Sequence, residues 1–426
     1  MKRLLILACL ALASCSTVTT DEDPDGRAPE SDRDLVSQPL KVPALEDMAK
    51  TPERTLEGGM VAVTYDALPG WADDDLDQVW KAFINNCKGL MRPVSGSLTL
   101  PARAAPRVWQ PVCEAAQQAD LDEDTADPAA VRAFLEEHLQ PWRLLNAQGQ
   151  PASNTVTGYY EPRVQGSRSR HDDYQWPLYE TPDDLLTIDL GEVYPELAGK
   201  RVRGKLDGQR VVPYDTRADI AESESRQPPV ITWIDDPVEA FFLQIQGSGQ
   251  VELDKGSVIR LAYDDHNGRP YASIGQWLVD QKEMTLDQAS MGSIKQWARE
   301  HPHRVQEMLN ANPAMVFFKE EAVSDSDLGP RGAYGIALAP QRAIAVDPAF
   351  VPLGTPVYLS TREPGSQTPL RRLVFAQDTG AAIKGAARAD FFWGTGTQAG
   401  EQAGRMKQPG DMWLLWPKHA GKPSAR

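Results

Sequence analysis

The alternation of apolar and polar positions predicts helices near the start of the globular part of the chain. After an acidic run at 73–75, apolar residues recur at helical intervals, at Leu76, Val79, Trp80, Phe83 and Ile84. This spacing predicts an amphipathic helix whose first turn is capped by the acids. A second helix is predicted over 128–139, where Pro128 stands at a tolerated early position.

Extended segments separated by turn residues follow these helices. They read TVTGYYEPRVQGS, QWPLYETP, VVPYDT, PPVITWIDD and AFFLQIQGSG. In the last segment Gln244 and Gln246 alternate with apolar residues, so a strand would place both amides on one side. Helical patterns return after Ser273, a residue suited to cap IGQWLVDQK, and continue in MGSIKQWARE and HRVQEMLNANP. The C-terminal part returns to strands, in YGIALAP, AIAVDP, TPVYLS, RRLVFAQD and DMWLLWP.

These blocks of strands and helices lack the regular alternation of a doubly wound sheet. They favour a protein that is mainly β with some α (α+β), or barrel domains. A β-rich C-terminal block can complete a barrel begun by an earlier segment, with the middle of the chain as an insertion.

Composition and charge place the chain among globular proteins. It has 426 residues, enough for two domains, with 41% hydrophobic and 24% charged residues. The formal net charge is −16, which argues against a nucleic-acid partner, because such partners need a basic face.

The N-terminus has the features of a bacterial export signal. Two basic residues precede an apolar run that is too short to span a bilayer, in MKRLLILACLALASCS. Leu12 to Cys15 resembles a lipoprotein cleavage site, which predicts a signal peptide over 1–14 and lipidation of Cys15. An ordinary signal with a chance cysteine is the alternative. With Ser16 next, we expect an outer-membrane anchor facing the periplasm. The polar segment that follows, to residue 50, is expected to be a flexible tether.

Cysteine and histidine usage limits the chemistry. Of four cysteines, Cys87 and Cys113 remain for a disulfide in an oxidising compartment, or as two buried thiols. Six histidines include His301 and His303, but no third ligand stands at a recognisable metal spacing. Nucleophile-elbow and phosphate-loop patterns are absent around Gly247 and Ser248. We therefore expect no metal and no cofactor.

Two aspartates near the C-terminus form the clearest chemical signal. Asp378 ends an apolar segment, and Asp390 precedes an aromatic cluster, with mostly Gly and Ala between them. Apolar surroundings would raise the pKa of Asp390 and keep it protonated. Turn amides and the hydroxyl of Thr379 would favour the charged form of Asp378. The small residues between the acids suit a loop that a polymer can approach closely.

Six motifs occur in one order along the chain. They are TGYYEP (157–162), FFLQIQGSG (241–249), HNGRPYASIG (266–275), MGSIKQW (291–297), AVDPAFVPLGTPVY (345–358) and QDTGAAIKGAARADFFWGTG (377–396). Together they resemble the membrane-bound lytic murein transglycosylase A family, over about residues 50 to 420. The resemblance implies a double-psi β-barrel from residues 51–164 and 323–420. It also implies an inserted β-rich substrate-binding domain over 165–322, with glycan between the two.

The same resemblance assigns roles. The family's three aspartates correspond to Asp347, expected to be structural, to Asp378 and to Asp390, the catalytic acid. One departure is Ala381, where the family has glycine. The reaction implied is cleavage of the β-1,4 bond between MurNAc and GlcNAc with a 1,6-anhydro product, in which one Asp acts as acid and then base. Binding without catalysis, in an expansin-like barrel, and hydrolysis by a two-carboxylate muramidase are the alternatives.

Further residues are expected to contact substrate because amides, hydroxyls, aromatic rings and cations suit sugars and murein carboxylates. They are Tyr159, Tyr160, Gln244, Gln246, Gly247, Ser248, Lys384, Arg388 and Trp393. The expected partners are peptidoglycan strands, the membrane through the lipid anchor, and cell-wall synthesis machinery.

Overall fold

The computed structural model describes residues 56–76, 78–92, 102–190, 193–194, 202–223, 227–322, 328–380 and 382–425. The expected signal peptide, Cys15, the tether to residue 50 and Ala381 lie outside these ranges. Within them, no helix combines the length and apolarity needed to cross a membrane. Strands predominate and helices are interspersed, which confirms the α+β prediction.

In the described ranges, helices occur near the N-terminus, in the middle of the chain and near the C-terminus. Those in the described ranges are α1 Val79–Leu90, α2 Pro106–Gln118, α3 Pro128–His138, α4 Arg217–Glu222, α5 Pro237–Gln246, α6 Ile274–Asp280, α7 Met291–Glu300, α8 Val305–Asn310 and α9 Thr397–Arg405.

Strands occupy three regions of the chain. The first and last regions contain β1 Gly59–Ala62, β2 Leu139–Leu145, β3 Ser153–Glu161, β13 Ala343–Val346, β14 Pro356–Arg362, β15 Pro369–Asp378, β16 Ala389–Thr395 and β17 Lys407–Pro417. The middle region contains β4 Arg163–Ser167, β5 Trp176–Tyr179, β6 Leu186–Ile188, β7 Val202–Asp207, β8 Arg210–Pro213, β9 Val230–Ile234, β10 Ser248–Leu253, β11 Val258–His266 and β12 Val316–Glu321.

Six strands close into a barrel made from two distant parts of the chain. Their hydrogen-bonded order is β17, β14, β15, β13, β16 and β3, and the pairing of β3 with β17 completes the circle. The strands β1 and β2 extend the sheet from the other half of β17. The middle region forms a separate six-stranded sheet in the order β12, β11, β10, β4, β9, β5, and a three-stranded sheet of β6, β7 and β8.

The barrel and the six-stranded inserted sheet each bury an apolar cluster. The larger cluster joins α1, α2 and α3 to the barrel and includes Phe83, Phe375 and Trp416, none of which is exposed. The inserted sheet packs Leu243 and Phe318 into a second cluster. The barrel therefore has an apolar cluster separate from that of the insert.

The predicted N-terminal helix exists but begins later than expected. Helix α1 starts at Val79, after a left-handed Gln78, and the acids do not cap it. Asp74 and Asp75 instead bind Arg342, whose guanidinium is almost fully buried, at 3.2 and 2.8 Å. Tertiary pairing of the acids thus replaces the expected cap.

Helices α3 and α6 match the sequence prediction. Asp127 caps α3 by accepting a hydrogen bond from the Ala130 amide, directly before Pro128. Ser273 caps α6 in the same way through the Gln276 amide. The helical predictions for 291–300 and around 305–310 are also confirmed by α7 and α8.

The segment AFFLQIQ was expected to be a strand, and this prediction is wrong. It forms α5, which Asp236 caps through the amides of Val238 and Glu239. The helix puts Gln244 and Gln246 on different sides, and Gln244 is buried. The segment YGIALAP is likewise not a strand; an isolated bridge joins Arg331 to Ala337 there.

A disulfide joins the first two helices. Cys87 of α1 is bonded to Cys113 of α2, with 5.7 Å between their Cα atoms. Both residues are fully buried in the larger apolar cluster. The bond ties α1 and α2 together against the barrel.

Candidate functional site

The two aspartates lie in one row across neighbouring barrel strands. Ala345 of β13 pairs with Asp378 of β15 on one side and with Asp390 of β16 on the other. Asp390 in turn pairs with Thr157 of β3. Paired residues share a sheet face, and two strand spacings amount to roughly 10 Å. Ala345, whose side chain is buried, therefore lies between two carboxyl groups on the same face.

A β-bulge sets this row. Ile344 pairs with Ala376, but the next residue, Ala345, pairs with Asp378, so β15 has one extra residue at Gln377. An extra residue changes which side chain faces a given side. The Gln377 side chain is buried and donates to the Asn86 amide oxygen at 3.2 Å. The bulge thus brings Asp378, rather than an amide, beside Ala345.

Asp390 is held through one of its two carboxyl oxygens. The Thr157 hydroxyl donates to Oδ1 at 2.6 Å, and Arg388 Nη2 donates to that hydroxyl at 2.9 Å. The other oxygen, Oδ2, has no hydrogen-bond partner among the described residues. Burial raises the pKa of Asp390, while the Thr157 hydrogen bond and the Arg388 charge oppose the rise. The group is thus a partly fixed carboxyl whose pKa lies above that of a free aspartate.

Asp378 is held through both oxygens. The backbone amides of Ala333 and Thr379 each donate to Oδ1 at 2.9 Å, and the Tyr159 hydroxyl donates to Oδ2 at 3.1 Å. Burial raises the pKa of Asp378, these three donors lower it, and the nearby charge of Asp390 raises it. The turn amides act as expected from the sequence, but burial outweighs them.

Tyr159 remains a phenol in this setting. Burial and the charges of Asp378 and Asp390 raise its pKa well above its ordinary value. Its ring lies 5.2 Å from that of Phe392, which is fully buried. Together the two rings form an apolar wall on the carboxyl face.

Asp347 supports the connection between the two aspartates. Its Oδ2 accepts from the Gly385 amide at 2.8 Å, and its Oδ1 accepts from the Ala349 amide at 3.2 Å. Gly385 has a φ of +100°, a conformation that favours glycine. The structural role of Asp347 stays a prediction.

The basic residues of this connection differ in exposure. Lys384 is exposed to solvent, beside the carboxyl row in sequence. Arg388 is partly buried, and its Nη1 donates to the Thr155 carbonyl at 3.0 Å while its Nη2 holds Thr157. The guanidinium of Arg388 is therefore bound to residues of β3, whereas the exposed side chain of Lys384 is accessible to an anion.

Trp393 does not lie at this site. It is 9% exposed, packs on Phe391 with 5.0 Å between ring centroids, and donates its indole N–H to the sulfur of Met406. Phe391 and Trp393 alternate with Asp390 and Phe392 along β16, so they face the barrel interior. The expected substrate contact through Trp393 is not supported by this position.

Tyr160 and Gln244 contact residues other than the two aspartates, and Gln246, Gly247 and Ser248 lie around the end of α5. The ring of Tyr160 packs against Gly400 of α9. Gln244 accepts from buried Arg217 at 2.8 Å. Gly247 ends α5 with a φ of +76°, and Ser248 begins β10. Gln246, at the end of α5, is partly exposed.

The sequence did not reveal the small and backbone partners of the site. Thr157, Ala345 and the Ala333 amide were missed. Thr157 was within reach of pattern reasoning, because it stands two residues before Tyr159 on a predicted strand and so shares its face. In the described ranges, no group of three or more acidic, His or Cys side chains is placed to hold a metal ion.

The barrel, its inserted β sheet and the partly buried carboxyl pair define a class of proteins with a double-psi barrel and a second β domain. Two family models match in this arrangement: the MltA specific insert domain over residues 155–319 and the 3D domain over residues 342–416.

Solved structures give the same result. The chain is 42% identical to the lytic transglycosylase LtgG of Burkholderia pseudomallei, covering 87% of this chain and 99% of that one, with a TM-score of 0.59. It is 33% identical to MltA of Neisseria gonorrhoeae, covering 91% and 98%, with a TM-score of 0.74. The chain belongs to the MltA family of lytic murein transglycosylases.

A curated relative shows a more limited match. The membrane-bound lytic murein transglycosylase A of Escherichia coli (strain K12) is 29% identical over 267 residues, which cover 61% of this chain. The match spans 64% of the length of that relative.

Proposed function

We propose that this protein is a peptidoglycan lytic transglycosylase that uses Asp390 as its single acid and base. The observation that carries the proposal is the carboxyl group of Asp390. It is partly buried, its pKa is raised, one oxygen accepts the Thr157 hydrogen bond, and the other has no hydrogen-bond partner among the described residues. A general acid needs this combination, because it must be protonated and must present an oxygen to the substrate. The family relationship supports the same activity.

In the proposed reaction the substrate is a murein glycan strand. Asp390 donates its proton to the oxygen of the β-1,4 bond between MurNAc and GlcNAc, and the bond from that oxygen to C1 of MurNAc breaks. The Asp390 carboxylate then takes the proton of the C6 hydroxyl of the same MurNAc, and O6 bonds to C1. The product is a 1,6-anhydromuramyl end and a free GlcNAc hydroxyl, and no water is consumed.

Asp378 is proposed to orient the site rather than to attack the sugar. A second catalytic carboxylate would have to hold a water molecule or act as nucleophile. Both oxygens of Asp378 already accept hydrogen bonds, two on Oδ1 and one on Oδ2. These contacts favour the single-acid reaction over a two-carboxylate hydrolase.

The glycan is proposed to lie over the face that carries Asp390, in the groove beside the insert. Tyr159 would line this face, and exposed Lys384 would meet lactyl or peptide carboxylates. The barrel segments 51–164 and 323–420 would form the catalytic domain, and 165–322 the substrate-binding domain.

We further propose an outer-membrane lipoprotein that faces the periplasm. Cleavage after residue 14 would expose Cys15 for lipidation, and the tether to residue 50 would let the enzyme reach the wall. Stable anchoring needs more than one acyl chain. Expression with a labelled fatty acid should mark the protein, and Cys15→Ala should remove both label and membrane association. Labelling of the Cys15→Ala protein would contradict the assignment. Association with cell-wall synthesis machinery remains a proposal of the same kind.

The test of the activity is digestion of purified sacculi followed by mass analysis of the products. Anhydromuramyl products, lighter by one water than hydrolysis products, are expected. Products with a complete reducing end would identify a muramidase. Binding of sacculi without release of any muropeptide would instead identify an expansin-like barrel.

A further inference from the structure

A buried ion pair connects the barrel to the inserted sheet. Glu161 is the last residue of β3, and Arg260 lies on β11; their side chains are 0% and 5% exposed. Arg260 donates through Nε to Oε1 at 2.7 Å and through Nη2 to Oε2 at 3.1 Å. A two-point contact of this kind fixes direction as well as distance.

Two further side chains complete the surroundings of the Glu161 carboxylate. Thr395 of β16 donates to Oε2 at 2.8 Å, and Gln250 of β10 donates to the same oxygen at 3.1 Å. Thr395 belongs to the barrel strand that carries Asp390, whereas Gln250 and Arg260 belong to the insert. One carboxylate is therefore shared between the catalytic strand and the inserted sheet.

The chain crosses between the two sheets twice, and the ion pair touches both crossings. The first crossing is at Glu161 itself, two residues after Tyr159. At the second, Arg260 Nη2 donates to the Leu328 carbonyl at 2.8 Å. The same segment continues to Ala333, whose amide holds Asp378. Both Tyr159 and Ala333, two of the three donors to Asp378, thus extend from points that the ion pair fixes.

We propose that Glu161 and Arg260 are positioning residues that orient the insert on the barrel and hold the donors of Asp378. The proposal rests on the proposed function for its kinetic part only. An isolated buried ion pair is weak evidence of stability, because desolvation offsets the attraction of the charges. Because the ion pair contacts both crossings, it can instead fix the orientation of the insert on the barrel. A displacement of about 1 Å at a reacting centre can lower a rate roughly 100-fold.

The test compares Glu161→Gln with a control in the inserted sheet, Glu320→Gln, beside the strand that carries Arg260. Glu320 pairs with Arg168 at 2.7 Å, but both side chains are nearly half exposed. In Glu161→Gln we expect faster amide hydrogen exchange at 248–253 and 328–335, with exchange in the barrel strand 356–362 unchanged. We expect kcat on sacculi to fall about 10- to 100-fold while KM changes little. Glu320→Gln should change neither quantity.

Two conservative variants separate positioning from simple stability. Glu161→Asp keeps the charge and should recover part of kcat, and Arg260→Lys loses the two-point contact and should repeat the Glu161→Gln pattern. Exchange that rises everywhere, including 356–362, would show a structural pair only and would overturn the proposal. So would wild-type exchange and kcat in folded Glu161→Gln. Hydrogen exchange can be measured without turnover. If the wild-type protein released no product, the proposed function would be wrong, but the exchange result would still test the role of Glu161 and Arg260.

Discussion

Replacement of Asp390 by Asn should abolish turnover and at the same time stabilise the fold. Asn keeps the shape of the side chain and can still accept the Thr157 hydrogen bond at the Oδ1 position. It cannot donate a proton to a glycosidic oxygen as an acid. Loss of general acid catalysis lowers rates by about 10²- to 10⁴-fold, so release of muropeptides should fall at least that far.

The gain in stability follows from the raised pKa of Asp390. Burial raises it above its ordinary value of 3.8, and each unit of that rise costs about 1.4 kcal/mol of folding free energy once the group is ionised. Below pH 3.8 the proton is bound in both folded and unfolded chains, and there is no cost. As the pH rises through the window up to the folded pKa, the unfolded chain releases its proton first, so stability falls. Asn avoids this loss.

The assay is urea unfolding of wild type and Asp390→Asn at acidic and neutral pH. The difference in unfolding free energy should be small below pH 3.8 and should grow to a constant value above the folded pKa. Asp411→Asn is the control, because Asp411 of β17 is partly exposed and pairs with Arg143 at 2.8 Å. Loss of this ion pair should lower the unfolding free energy by about 0–1 kcal/mol.

Two results would refute this reasoning. Turnover in Asp390→Asn would show that another group is the acid. A stability difference that is the same at both pH values would show that burial of the Asp390 carboxyl is not costly. A third observation is available in the same variant: without the charge of Asp390, the pKa of Asp378 should fall.

Three other changes test neighbouring features. Thr157→Val removes a hydrogen bond that lowers the pKa of Asp390, so the alkaline limb of kcat/KM against pH should move to higher pH; Thr157→Ser should leave it in place. The Cys87–Cys113 disulfide closes a loop of 26 residues, so replacing both cysteines by Ser should lower the unfolding free energy by about 3.5 kcal/mol. Reduced wild type is the control and should lose the same amount. Trp393→Ala should cost about 3–5 kcal/mol without altering KM in the folded protein; a raised KM would restore its predicted contact with substrate.

Local patterns predicted those elements that local contacts determine. Helices α3 and α6 follow from a capping residue next to an apolar period, and both signals lie within a few positions of each other. The start of α1 was misplaced because Asp74 and Asp75 pair with Arg342, which stands in another part of the chain. A sequence window cannot contain such a partner.

The wrong strand at α5 has a different cause. Gln244 and Gln246 alternate with apolar residues, and a short run of this kind fits a strand as well as a buried helix. Asp236 followed by Pro237 is a helix-start signal that decides the ambiguity, and its carboxylate accepts two backbone hydrogen bonds. The helix-start signal was therefore present in the sequence, but the alternation of glutamines and apolar residues favoured a strand.

The chemical asymmetry of the two acids depends on long-range pairing. The sequence places an aromatic cluster beside Asp390 and a turn beside Asp378, but it does not show that the two acids share a sheet face. A bulge at Gln377 and the shared neighbour Ala345 bring them onto one face. Their partners then differ: Asp378 receives two amides and a phenol, whereas Asp390 receives one hydroxyl.

Strand register decides these partners, and register is a property of the closed barrel rather than of any segment. A shift of one residue would turn both acids to the interior, where Phe391 and Trp393 now pack. The apolar residues next to Asp390 therefore matter chiefly because they must face inward, which forces the acid to face outward. The aromatic cluster sets the direction of Asp390, and Phe392 and Tyr159, on its own face, supply the apolar surroundings that favour its protonated form.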